Sequence, residues 1–257
     1  MAGIALALAA AVAFALANTS ASVAYHGGSN PLTVAAIRFL LPTGTLVVWL
    51  RLRGVPFALP GWDGCVAALL GAVTAVYTWA LLSAIGAIRL ASAILVFYLF
   101  PLVAAVILAV CGWEKFRWQT AAAIVLAFAG LALALDPRGS LNFKGVALAL
   151  VGALGLGIVT AVSSRVFRAS DSRPVTLYIV AVAAMVLIVL CATHGEFLRP
   201  QTGFGWLGFV STSVFYTFGI IAFFIAISII GPVRVSLLSY AEPVVSAGLG
   251  VSLLGKR

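Results

Sequence analysis

Only six of the 257 residues are acidic, and one of them, Glu242, stands inside an apolar run. It occurs as Tyr240-Ala241-Glu242-Pro243. A charge at membrane depth costs roughly 2.5–3.5 kcal/mol on insertion scales and marks a function or a partner. Pro243 lacks an N–H and so frees a carbonyl one turn earlier. A carboxylate beside such a broken turn can bind a substrate ammonium or a proton, or it can pair with an arginine or cap a neighbouring helix. Arg38, in Ala36-Ile37-Arg38-Phe39, is the basic counterpart. It can hold a substrate carboxylate, or serve as an anchor against an acid or a helix C-terminus.

Neutral polar residues recur within the same kind of apolar run: Asn18, Thr19 and Ser20; Tyr77, Thr78 and Trp79; Tyr98; Thr212, Ser213 and Tyr216; Ser239 and Tyr240. With Glu242 and Arg38, the residues Asn18, Tyr77, Trp79, Tyr98, Tyr216, Ser239 and Tyr240 form the candidate substrate-binding set. The competing role is hydrogen bonding between helices, or back to a residue's own helix. Arg89 and Arg234 follow glycine turns and reach head groups by snorkelling, with a gate as the other reading. Cys65, Cys111 and Cys191 lie apart, without C-x-x-C spacing, and His26 and His194 have no ligand-like neighbours. No catalytic residue, metal site or cofactor is expected, and neither H-E-x-x-H nor a P-loop occurs.

The elements that must position these residues follow from composition. The chain is 64% hydrophobic and 8% charged, whereas a soluble domain carries about 25% charged residues. Nine apolar spans are predicted, at 3–24, 31–50, 64–85, 90–111, 119–135, 145–164, 174–193, 206–230 and 232–254, each of the length class that crosses a bilayer. The net charge of +9 is scattered over short loops, which suits anionic lipid and gives no nucleic-acid stripe. The N-terminal run lacks a preceding Lys or Arg, so it reads as a first helix and not a signal peptide.

The spans repeat. Gly3-Ile4-Ala5-Leu6 returns as Gly145-Val146-Ala147-Leu148, Pro31-Leu32-Thr33 as Pro174-Val175-Thr176, Gly86-Ala87-Ile88-Arg89 as Gly231-Pro232-Val233-Arg234, and Pro101 as Pro243. The halves are therefore set at 1–138 and 139–257. Five spans per half make the second half enter the membrane upside down, the inverted-repeat logic of secondary carriers. The fold class is thus an all-α polytopic membrane bundle of two inverted five-helix repeats, with nine spans and the tenth helix missing, read as truncation with a natural nine-span variant as the alternative. Gly86, Gly231, Pro101 and Pro243 are the candidate hinges. With the N-terminus in the cytoplasm, inside loops hold eight Lys/Arg and outside loops four, which favours that orientation.

The residues also resemble a known family. Phe97-Tyr98-Leu99-Phe100-Pro101 through Gly112-Trp113-Glu114-Lys115, Ser239-Tyr240-Ala241-Glu242-Pro243 through Gly255-Lys256-Arg257, and Pro31-Leu32-Thr33 with Ala36-Ile37-Arg38-Phe39 are similar to the EamA-type domain of the drug/metabolite transporter superfamily. The resemblance implies ten helices in two inverted repeats, both termini cytoplasmic, and secondary transport of small metabolites, often amino acids. It maps Glu242 and Pro243 onto the Glu-Pro of the ninth helix and Arg38 onto the Arg of the second. Lys256 departs from the usual Glu, and the tenth helix is absent.

The expected function is a secondary transporter of small polar metabolites such as amino acids, in a bacterial inner membrane. The alternative is a non-transporting membrane protein, an assembly partner or a degenerate carrier. Partners are a small-molecule substrate and the lipid bilayer, with a homodimer left open.

Overall fold

The computed structural model describes residues 1–114, 142–194 and 197–246, together with Trp118, Ala122, Val125, Leu126, Phe128 and Ala129. Most of the span expected at 119–135, the half boundary near 138, Lys256 and the last part of span nine lie outside the described residues.

The described elements are α1 (Ala2–His26), α2 (Pro31–Arg38), α3 (Leu40–Leu52), α4 (Gly61–Ala87), α5 (Leu90–Phe97), α6 (Phe100–Val110), α7 (Phe143–Ala169), α8 (Ser172–His194), α9 (Gly203–Ile230) and α10 (Pro232–Leu238). Among the described residues, seven stretches are long and apolar enough to cross a membrane: Ala2–His26, Pro31–Leu52, Gly61–Ala87, Ser92–Val110, Phe143–Ala169, Ser172–Thr193 and Gly203–Ile230. These helices are apolar all round, as buried or lipid-facing helices must be. Hydrogen bonding within each helix satisfies the backbone where no water can.

Three helix breaks have one cause. A proline leaves the carbonyl four residues earlier without its helical partner. Pro42 does this to Arg38, and the chain kinks at Phe39 between α2 and α3. Pro101 separates α5 from α6 at Tyr98–Leu99. Pro243 does the same to Ser239, and α10 ends at Leu238 before helix resumes at Ala241. Each break falls beside a candidate site residue.

α1 packs chiefly on α9, and α4 chiefly on α7 and α8. Both principal pairs are antiparallel. Gly3, at the start of α1, abuts Ile229 and Ile230 at the end of α9, and Gly145, at the start of α7, abuts Ile88 after the end of α4. The two contacts are reciprocal across the halves. Hydrogen bonds tie the halves at both ends. At one end Gln201 N–H donates to Gly27 O (2.8 Å), Ser29 Oγ to Leu198 O (2.8 Å), and Leu198 N–H to Thr33 Oγ1 (3.0 Å). At the other, Ser170 Oγ donates to Asp63 Oδ2 (2.5 Å), and Arg168 lies 3.8 Å from Glu114.

One expected turn is corrected. Gly86 is helical; α4 runs on to Ala87, and the chain turns at Ile88, which is extended at φ −133°, ψ 170°. Its counterpart Gly231 does make the turn, at φ +83°. The difference is the next residue. Pro232 disfavours a helical residue before it, so glycine takes the left-handed conformation at little cost. Ala87 imposes no such restriction.

Candidate functional site

One cavity is lined by Asn18 and Phe14 of α1, Arg38 of α2, Tyr77, Thr78 and Leu81 of α4, Phe97, Tyr98 and Phe100 around the α5–α6 break, Tyr216 and Phe223 of α9, and Ser239 and Glu242 past α10. Most sequence candidates thus meet in one place, drawn from both halves.

Glu242 is 4% exposed. Its Oε1 accepts from Asn18 Nδ2 at 2.9 Å, and its Oε2 lies 2.7 Å from the Tyr98 hydroxyl. That hydroxyl is also 2.7 Å from Ser239 O, the carbonyl that Pro243 deprives of its usual donor. The Glu242 N–H supplies a second, shorter-range bond to the same carbonyl at 2.9 Å. Tyr240 packs behind this group. Its ring centroid is 5.3 Å from that of Tyr98, and its hydroxyl donates to Tyr98 O at 3.0 Å. The two helix breaks therefore satisfy each other's backbone across the halves.

Arg38 is 2% exposed. Its guanidinium carbon sits 3.8 Å from the centroid of the Tyr216 ring, a cation–π contact. Phe39 and Phe14 hold that ring in place, at centroid distances of 5.0 and 5.7 Å. Among the described residues, Arg38 Nε and Nη1 have no hydrogen-bond partner. Glu242 lies near enough for electrostatic interaction with Arg38, yet the described residues include no ion pair between them. The cavity thus presents one acid and one base, each buried, in aromatic walls.

Trp79 does not join this site and is corrected. It is 41% exposed and points outward. Successive helical residues turn by about 100°, so Tyr77 and Leu81 share a face that Trp79 cannot. Trp79→Ala is expected to leave transport within about twofold of wild type, as for surface changes generally, when initial uptake rates are compared. Phe14, Phe97, Phe100 and Phe223 line the cavity without belonging to the candidate set that the sequence singles out. The available signal was spacing: Phe14 lies one turn before Asn18, and Phe223 two turns after Tyr216.

Asp171, in the turn before α8, is held below the usual carboxylate range by side-chain hydrogen bonds from Arg173. This pair organises a loop and is remote from the cavity lining. Among the described residues no group of His, Cys, Asp and Glu is placed to hold a metal ion, and the cysteines are free thiols.

The fold is that of a polytopic α-helical membrane protein whose described helices enclose a cavity lined by polar and aromatic side chains. The chain belongs to the EamA-like transporter family, which matches residues 1–135 and 143–257. Membership makes it a membrane transporter of the drug/metabolite superfamily. A solved crystal structure 22% identical in sequence superposes with a TM-score of 0.76, covering 99% of this chain and 89% of its own, which shows a shared fold. No curated protein matches the chain.

Proposed function

We propose that the chain is a secondary carrier for small polar metabolites, amino acids and related solutes among them, working by alternating access between two inverted halves. The observation that carries this is the pair of buried ionisable groups, Arg38 and Glu242, in one cavity. Among the described residues, two Arg38 nitrogens have no partner and Glu242 has no ion-pair partner. Such groups are costly at membrane depth and are kept where a pathway needs them. The reciprocal contacts Gly3–Ile230 and Gly145–Ile88 support the inverted arrangement. A single helical family matching both stretches supports duplication, with units at 1–138 and 139–257. Rocking of one half against the other, with Gly231, Pro101 and Pro243 as pivots, would expose the cavity on either side. Residence in a bacterial inner membrane with a cytoplasmic N-terminus fits the loop charges.

Reconstituted vesicles offered a panel of labelled amino acids, amines and carboxylates test this reading. Wild type is expected to take up at least one solute saturably, and Glu242→Gln to lower its initial rate about tenfold or more, the scale of one lost charge-assisted hydrogen bond. A non-transporting member gives no saturable uptake from any of the panel. Equal rates in both proteins remove Glu242 from the mechanism.

A further inference from the structure

The hydrogens available around Glu242 decide its charge state. A phenol carries one hydrogen and a backbone carbonyl none. The Tyr98 hydroxyl lies 2.7 Å from Ser239 O and 2.7 Å from Glu242 Oε2. Each distance is at the mode for an O–H···O bond, so each needs a hydrogen of its own. If Glu242 is ionised, one hydrogen must serve two acceptors, and one contact becomes lone pair against lone pair. If Glu242 carries a proton on Oε2, the count closes. The acid donates to Tyr98, Tyr98 donates to Ser239 O, and Oε1 accepts from Asn18 Nδ2.

The geometry points to Glu242 as the carrier's proton-coupling site, occupied by one proton in this conformation. The inference rests on the carrier reading above and names its coupling ion. One proton adds to the carboxylate from the water on one side and leaves, restoring the carboxylate, to the water on the other. Tyr98 and the carbonyl freed by Pro243 form the cradle that favours the neutral acid. The groups facing Glu242 are Asn18 from α1, Arg38 from α2 and Tyr98 from the α5–α6 break, while Tyr240 from its own segment packs on Tyr98. Tyr77 and Tyr216 face Arg38.

Arg38 sets the sign of the coupling. Its charge favours the ionised form of Glu242, since opposite charges nearby do so. An anionic group of a solute placed on Arg38 cancels that influence and makes protonation easier. By linkage, the proton makes the anion bind more tightly in turn. A solute bearing an anionic group therefore travels with the proton, and its binding weakens as pH rises through the titration of Glu242.

Infrared difference spectra of the purified protein between acidic and alkaline pH test the site without any solute. Wild type should show a protonated-carboxyl band lost at alkaline pH; Glu242→Gln should lack it; Tyr98→Phe should keep it at a shifted frequency, because the acid has lost its acceptor. Absence of any band that Glu242→Gln removes overturns the inference. In vesicles, a one-unit pH step should drive a transported carboxylate-bearing solute to about tenfold accumulation in wild type, for one proton per solute, and to simple equilibration in Glu242→Gln. Wild-type transport that ignores the pH step also overturns it. A panel that yields no transported solute defeats the carrier reading instead, while the infrared band still decides the proton site.

Discussion

Arg38→Leu is expected to weaken solute binding roughly tenfold to a hundredfold, the range of one hydrogen bond to a charged group, while the folded protein becomes no less stable. The two halves of this expectation have different physical sources. Arg38 is 2% exposed, with Nε and Nη1 unpartnered among the described residues, so its desolvation is offset mainly by the Tyr216 ring 3.8 Å away. Replacing a poorly compensated buried charge with an apolar side chain is often neutral or stabilising. Glu242 loses its nearby positive charge but keeps Asn18 and Tyr98. A residue kept for architecture behaves the other way: its loss lowers the melting temperature and leaves binding alone. Arg38→Lys retains the charge but not the planar stack on Tyr216 or the fork of donors, and should fall between. Apparent KM in vesicles and the melting temperature of the purified protein check this together. A normal KM with a lowered melting temperature would make Arg38 an anchor only.

Several features of this site are legible in the chain itself. Glu242 and Arg38 stand out because charge is scarce in apolar runs, and Pro243 announces a freed carbonyl before its acceptor role at Ser239 is seen. What the chain does not reveal is the pairing across the halves. Asn18 and Glu242 are separated by 224 positions, and helices that are apolar on every side carry no stripe to say which face meets which. The same lack of a stripe misplaces Trp79: three polar or aromatic residues in a row look like one lining, whereas a helix turns the third away. The aromatic walls at Phe14, Phe97 and Phe223 are invisible for a related reason, since phenylalanine suits lipid and cavity alike. Gly86 and Gly231 look equivalent by repeat, and only the neighbouring Pro232 separates a turn from a continuing helix. Local chemistry is therefore readable where a residue is out of place in an apolar run, and unreadable where several placements satisfy the same hydropathy.

The other large effect concerns a residue with no side chain. Gly208→Ala should destabilise the protein, and Gly208→Val should do so severely, although alanine is the better helix former by about 1 kcal/mol. Gly208 faces α1 so closely that an added Cβ would lie 2.7 Å from Ser20 O, 2.9 Å from Ala24 N and 2.9 Å from Val23 Cβ. None of these is the free end of a flexible chain, so α1 itself must shift. Overpacking of this kind costs about 1–3 kcal/mol, more than the gain in propensity. Lipid supplies no hydrophobic drive to press the helices back together. Gly44, inside α3, is the control: nothing lies within 4 Å of its added Cβ, so Gly44→Ala should hold or raise the melting temperature. Opposite signs for the same chemical change would isolate close approach as the cause. Asn18 lies two positions before Ser20 on α1, so a displaced helix also draws the Asn18 amide away from Glu242 Oε1. Gly208→Ala should accordingly lose transport at temperatures where it is still folded, and full transport with an unchanged melting temperature would show that α1 and α9 are not clamped here.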